Sequence, residues 1–216
     1  GLWGLGLAYT FLPHFIFPFV LLMLIGGILL IASFIDLASF ELPDKLTMAA
    51  CILALAGMPL SPVPKLVLDA VPAVDWAIYA GGAVLLIVFT YIYLETKNIL
   101  LTPLGAIPAG LAAAYLLEAP MNGPLLGAAL GAGLFWLLEV GFRTLRGYEG
   151  LGHGDIKLMI VVGALVGWRG LPISIVAGAT PALLASVYFM GRATDEGDRT
   201  MVPFGPFLSL GAMLYV

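Results

Sequence analysis

The stretch Gly152-His153-Gly154-Asp155-Ile156-Lys157-Leu158 stands at the start of a long apolar run. It places an ionisable group, the Asp155 carboxyl, at a membrane edge, where charged side chains are costly and most often functional. Gly152 and Gly154 lack the Cβ atoms that would keep another chain segment at a distance. A single acid in apolar surroundings tends simply to protonate, so a role in chemistry predicts a second carboxyl nearby. The candidate is Asp36, in Ile35-Asp36-Leu37-Ala38-Ser39-Phe40-Glu41-Leu42-Pro43-Asp44.

The composition around this stretch is that of a membrane protein. Of the 216 residues, 62% are hydrophobic and 10% charged, whereas a soluble domain carries about 25% charged residues. The net charge of −4 says little about orientation, which follows Lys and Arg, and nothing points to nucleic acid. The single cysteine, Cys51, excludes an internal disulfide and a Cys-rich zinc site. Because the chain opens on Gly1, we expect an N-terminally incomplete protein.

The apolar segments predict an all-α, polytopic membrane helix bundle with about eight to nine transmembrane segments, since each crossing needs about 20 apolar residues. We expect one membrane-embedded domain over 1–216. The first two segments are predicted at 1–11 and 15–39, with Asp36 near the end of the second. Near the other end, segments 156–168 and 171–190 predict a helical hairpin that turns at Arg169-Gly170.

Counting crossings returns Asp155 to the same membrane face as Asp36. With that topology seven basic residues lie at the face of the two aspartates and two lie opposite, a positive-inside bias. The seven are Lys45, Lys97, Arg143, Arg146, Lys157, Arg192 and Arg199, and the two are Lys65 and Arg169. The aspartates are therefore predicted at the cytoplasmic face.

Two carboxylates that are close enough to share a proton provide a base and an acid together. The ionised member can take a proton from water that attacks a peptide carbonyl, while the protonated member donates to the oxyanion or leaving amine. This is aspartyl proteolysis, which needs no metal and no covalent intermediate. Other protease chemistries have little support, because the chain has no His-Glu-x-x-His helix and its two histidines have no evident serine or cysteine partner.

Three elements in order carry a family resemblance: Asp36 with Leu42-Pro43-Asp44, then Gly152 to Leu158, then Pro203-Phe204-Gly205-Pro206-Phe207. Together they resemble the type IV prepilin peptidase family of GxGD aspartyl membrane proteases. The resemblance implies that Asp36 and Asp155 are the catalytic pair. It also implies that Pro43, Asp44, Gly152, Gly154 and Lys157 support the site. The implied substrates are prepilins or pseudopilins of type IV pilus or type II secretion systems, cut after a glycine at the cytoplasmic face of a bacterial or archaeal inner membrane.

The chain departs from that family pattern in two ways. Full bacterial members carry an earlier helix and a cytoplasmic loop, often with zinc-binding Cys-x-x-Cys pairs, and also N-methylate the new terminus with S-adenosylmethionine. We therefore expect no cofactor for proteolysis here, and S-adenosylmethionine and zinc only with a missing N-terminal part. The second departure is about two extra helices predicted as an insertion within 61–146, which preserves the parity of crossings.

Several residues also have plainer interpretations. Asp155 can complement a helix macrodipole, Asp44 after Pro43 can cap the next helix, and Lys157 can tune the acid pair or contact lipid phosphates. Glu139 is predicted to be a partly hydrated structural acid. The Pro203 to Phe207 turn is predicted to re-enter the membrane or cap the last helix near the aspartates.

Two alternatives belong to other functional classes. A proton-coupled small transporter would use the same acids as a relay, and it would separate them along a path, whereas a dyad holds them within hydrogen-bonding range or across one water. A metal-dependent lipid-phosphate transferase would need a denser acidic cluster for Mg²⁺ than this chain has. The sequence sets no oligomeric state.

Overall fold

A computed structural model describes residues 2–39, 42–58, 73–96, 101–116, 122–146, 152–190 and 203–215. These residues form helices and no strands. In chain order they are α1 Leu2–Ser39, α2 Asp44–Gly57, α3 Ala73–Thr96, α4 Leu101–Tyr115, α5 Asn122–Arg146, α6 His153–Met190 and α7 Gly205–Tyr215. The prediction of an all-α polytopic bundle is confirmed.

Four described spans are long and apolar enough to cross a membrane: Phe19–Ser39, Val74–Ile92, Gly123–Leu145 and Gly154–Val187. Helices α4 and α7 are apolar but shorter. The chain is therefore a membrane protein, while the predicted count of eight to nine crossings stays a prediction. The outward faces suit lipid, because large side chains such as Phe34, Val176 and Leu184 are about two-thirds exposed.

Helix α1 joins the two segments that were predicted at 1–11 and 15–39 into one helix. Residues 12–14, which separate the two predicted segments, include a proline. A proline is tolerated in a membrane helix because neighbouring groups can satisfy the freed backbone atoms. The prediction of two segments is therefore wrong.

Helix α6 lies at the centre of the bundle, against α2, α5 and α7. It meets α5 through glycines in antiparallel register: a Cβ added at Gly127 would lie 2.1 Å from the Gly163 carbonyl oxygen, and one added at Gly131 would lie 2.4 Å from that of Met159. Only residues without a Cβ allow two helix backbones this close. The spacing of four residues also directs Phe135 of α5 toward the start of α6.

The predicted helical hairpin is present, but its turn falls at Gly167 and not at Arg169-Gly170. Gly167 has φ 68° and ψ 175°, in the region that favours glycine. Beyond it the second arm runs back along α7, because Gly170 lies against Tyr215 and Gly178 against Phe207. The sequence signal for the turn was the Arg-Gly pair, whereas the backbone reverses at the glycine that can adopt positive φ.

The remaining helices bring the first motif to the same end. Helix α1 packs antiparallel to α7, with Gly26 against Met213 and Asp36 against Gly205. Leu42, in the connection from α1 to α2, contacts both Gly154 and Gly205. The end of α1 and the starts of α2, α6 and α7 therefore meet at one end of the bundle.

Candidate active site

Asp36 lies in the last turn of α1 and is 6% exposed. Its carboxylate accepts a hydrogen bond from the backbone N–H of Gly205, the first residue of α7. A Cβ added at Gly205 would lie 2.7 Å from Asp36 Oδ2. The glycine therefore lets the start of α7 approach the carboxylate, and a helix N-terminus with free N–H groups favours negative charge there.

Asp155 lies in the first turn of α6 and is partly buried. Its carboxylate accepts a hydrogen bond from the N–H of Gly152, and its own N–H donates to the Gly152 carbonyl oxygen at 3.0 Å. This reciprocal pair closes the turn that starts α6. The side chain is held at the helix start, so the macrodipole interpretation and a catalytic role are compatible.

The two aspartates lie close enough for the charge of Asp36 to act on the Asp155 carboxyl. They come from different helices, separated in the sequence by most of the chain, and the structure brings them to the same end of the bundle. Two neighbouring carboxyls, one buried and one partly buried, cannot both ionise easily, and this favours sharing one proton. The arrangement can therefore hold an acid and a base at one place.

Leu42 links the three motifs. A Cβ added at Gly154 would lie 2.9 Å from Leu42 Cβ, and one added at Gly205 would lie 3.2 Å from Leu42 Cδ1. Gly154 was predicted to admit another backbone, but it admits this side chain. Gly152 is less crowded, with Asp155 Oδ2 at 3.7 Å from an added Cβ.

Pro43 and Asp44 form the start of α2. Pro43 is the N-cap residue, and its carbonyl oxygen accepts bonds from the N–H groups of Leu46 and Thr47, each at 3.1 Å. The Asp44 carboxylate is directed elsewhere, to the Nζ of Lys157. Asp44 therefore contributes to the helix start by charge and links α2 to α6 by an ion pair.

Lys157 is buried, with 8% of its side chain exposed. Two roles were predicted for it, tuning of the acid pair and contact with lipid phosphates, whereas the contact in the structure is with Asp44. A buried ammonium group requires such a partner, because removing a charge from water is expensive unless it is paired.

Sequence reasoning missed three contributors to this end of the bundle. Leu42 and Gly205 belong to quoted motifs, but only their packing shows what they contact. Glu139 was predicted to be partly hydrated, and this is wrong, because it is 0% exposed. The signal was available: Glu139 continues the four-residue spacing of Gly127, Gly131 and Phe135, which faces α6.

The turn before α7 approaches the site as predicted. The rings of Phe204 and Phe135 stack at 6.4 Å between centroids, and the Phe204 carbonyl oxygen accepts bonds from the N–H groups of Phe207 and Leu208. The turn therefore caps the last helix and directs the N–H of Gly205 at Asp36. Within the described ranges, no group of three or more His, Cys, Asp or Glu side chains could hold a metal ion.

The chain is similar in sequence to proteins of one family. Residues 94–189 match the model of the type IV leader peptidase family. A prepilin leader peptidase/N-methyltransferase of Xanthomonas campestris pv. campestris is 39% identical over 92 residues, which are 42% of this chain and 31% of the relative. Namesakes in Burkholderia pseudomallei and Pseudomonas putida are 40% and 32% identical over 97 residues each, covering 43% and 45% of this chain. No solved structure matches the chain.

These matches confirm the resemblance to the type IV prepilin peptidase family. The chain covers about a third of the length of each relative, at 31%, 30% and 33%. The family match contains Asp155 and helices α4 and α5, and it leaves Asp36 outside. The insertion predicted within 61–146 stays a prediction, and parts of that range, residues 61–72, 97–100 and 117–121, lie outside the described residues.

Proposed function

We propose that this chain is an aspartic endopeptidase that cleaves the leader peptides of prepilin-like or pseudopilin-like proteins after a glycine. The observation that carries the proposal is that Asp36 and Asp155, which come from different helices, meet at one end of the bundle, where Gly205 lies against Asp36 and Leu42 packs against both Gly154 and Gly205. The name of the relatives, prepilin leader peptidase, supplies the substrate class. A proton relay would spread its acids along a path, so this proximity favours the dyad over the transporter alternative.

The dyad performs the reaction by moving one proton at a time. The ionised aspartate takes a proton from a water molecule, whose oxygen forms a bond to the carbonyl carbon of the scissile peptide. The protonated aspartate donates its proton to the carbonyl oxygen. When the tetrahedral intermediate collapses, the C–N bond breaks and the amine takes a proton from the protonated aspartate, while a hydroxyl group of the intermediate gives its proton to the ionised aspartate as the carbonyl re-forms. The dyad then again holds one proton.

The same proposal includes location and cofactors. The site lies at the cytoplasmic face of a bacterial or archaeal inner membrane, supported by the seven basic residues that the predicted topology places at that face. Proteolysis proceeds without a metal or organic cofactor, since the two carboxyls and water account for every proton transfer. The proposal covers the peptidase activity and assigns no methyltransferase residues.

The test is cleavage of a peptide with a short basic leader that ends in glycine and precedes an apolar helix. The purified protein in liposomes is compared with Asp36→Asn and Asp155→Asn, and with Asp75→Asn as a matched control. Each dyad variant is expected to lose at least about 1,000-fold in kcat. The reason is that a single remaining carboxyl cannot act as acid and base together. Asp75→Asn is expected to stay within about twofold, since Asp75 lies in the first turn of α3. Full cleavage by either dyad variant would refute the mechanism.

A further inference from the structure

The Lys157–Asp44 ion pair has unequal halves. The Lys157 side chain is 8% exposed, whereas that of Asp44 is 54% exposed. The lysine side chain therefore lies in the protein interior, and the Asp44 carboxylate lies at the edge of the bundle. A buried charge that loses its partner is strongly destabilising. Lys157 therefore depends on Asp44 more than the exposed Asp44 depends on Lys157.

The pair joins α6, which carries Asp155, to the start of α2, the helix that follows the one carrying Asp36. Lys157 follows Asp155 by two residues in the first turn of α6, and Asp44 begins α2 directly after the connection from the Asp36 helix. Residues two apart in a helix point in directions about 200° apart. Asp155 can therefore be directed toward Asp36 while Lys157 of the same turn is directed toward α2.

An apolar contact lies beside the ionic one. Leu42, two residues before Asp44, packs against Gly154, one residue before Asp155. The start of α6 therefore contacts the segment from Leu42 to Asp44 twice, through the packing of Leu42 on Gly154 and through the ion pair of Lys157 with Asp44. A fixed connection limits how far the end of α1 can move relative to α6.

We propose that Lys157 and Asp44 are positioning residues: their ion pair holds the first turn of α6 against the start of α2, so that Asp155 stays within reach of Asp36. This inference rests on the proposed peptidase function. In this role the pair takes no part in the proton transfers, and it acts through the separation of the two carboxyls. A displacement of about 1 Å at reacting groups can lower a rate by about 100-fold.

A different role for Asp44 would be to keep the positive charge of Lys157 away from the dyad. The two roles differ in what happens when both partners are removed. If the pair positions the dyad, the double variant Asp44→Asn/Lys157→Met remains as impaired as the single variants, because the link is absent in all three. If Asp44 only diverts the lysine charge, the double variant recovers, because no misplaced charge remains.

The experiment measures kcat and KM for the leader peptide, and the thermal unfolding temperature, on the full chain in liposomes. Asp44→Asn and Lys157→Met are each expected to lower kcat about 10- to 100-fold with KM within about threefold, and the double variant to match the lower of them. Asp44→Glu keeps the charge and is expected to restore most of the rate. Asp75→Asn, which removes another first-turn carboxylate, is expected to leave kcat unchanged and so excludes a general helix-dipole effect.

Apart from a general loss of structure, two outcomes overturn the positioning role while the proposed function stands. In one, the wild type cleaves and the single variants keep its kcat; in the other, the double variant regains the wild-type rate. A wild-type chain that cleaves nothing contradicts the proposed function itself, and the positioning role falls with it. A low kcat that accompanies a large drop in unfolding temperature in every variant, including Asp44→Glu, also overturns the proposal, because it shows general loss of structure.

Discussion

Glycines make close approach possible in two regions of this molecule, and what approaches them differs. In the middle of the bundle, Gly127 of α5 and Gly163 of α6 bring two backbones together. At the candidate active site, Gly205 and Gly154 bring a backbone near a carboxylate and near the Leu42 side chain. The first region provides shape only. The second brings N–H groups and acids together, and the proposed function uses these acids to activate water.

Glycine therefore serves helix packing in one region and the candidate active site in the other. A methyl group added in the middle of the bundle meets main-chain atoms that cannot move alone, so we expect the fold to fail. A methyl group added at the site meets side chains instead of backbone, Asp36 at Gly205 and Leu42 at Gly154. There we expect the fold to persist and the geometry of the aspartates to change.

The largest effect is expected for Gly127→Ala. Its new Cβ would lie 2.1 Å from the Gly163 carbonyl oxygen, so α5 and α6 must separate, and we expect a loss of more than about 3 kcal/mol in unfolding free energy. Thermal unfolding and the yield of monodisperse protein in detergent measure this. Wild-type stability in this variant would show that the two helices are not packed at this distance.

Gly205→Ala should affect activity and spare the fold. The added Cβ would lie 2.7 Å from Asp36 Oδ2, which forces the carboxylate to turn and disturbs the bond from the Gly205 N–H. We expect kcat to fall about 100-fold, while the unfolding temperature stays within about 3 °C of the wild type. Peptide cleavage and thermal unfolding on the same preparation give both numbers. An unfolding temperature as low as that of Gly127→Ala would contradict the prediction that this glycine matters for activity and not for the fold.

A smaller loss is expected for Gly154→Ala, because its neighbour is a side chain. Leu42 Cβ and Cδ1 would lie 2.9 Å and 3.0 Å from the new methyl group, and we expect kcat to fall about tenfold. Shortening the neighbour in Gly154→Ala/Leu42→Ala should recover part of the rate. If the double variant is worse than Gly154→Ala, crowding is not the cause.

The smallest effect is expected for Gly133→Ala, which serves as the control for the other three. No atom lies within 4 Å of a Cβ added at Gly133, on the same helix as Gly127. Alanine favours helix over glycine by up to about 1 kcal/mol, so stability should be equal or slightly higher and cleavage unchanged. A marked loss of either would mean that this face of α5 has a partner of its own.

The motifs predicted which residues gather at one end of the bundle, but not how they contact each other. Crossing parity was enough to predict Asp36 and Asp155 at the same end of the bundle, since it is a property of order along the chain. The ion pair of Lys157 with Asp44 and the burial of Glu139 depend on which helix faces lie together. The hairpin turn was displaced to Gly167 because a local Arg-Gly signal does not report the backbone conformation that packing requires.

The sequence by itself determined that the chain is a membrane helix bundle, because apolar length and scarcity of charge are enough to require helices that satisfy their own backbone groups. It also determined the order of three motifs that resemble a peptidase family. Only the tertiary structure decided which atoms meet: the Gly205 N–H at Asp36, Leu42 between two glycines, and Asp44 at Lys157. These contacts join segments that are far apart in the chain, and their distances follow from helix register and packing, which no local pattern specifies.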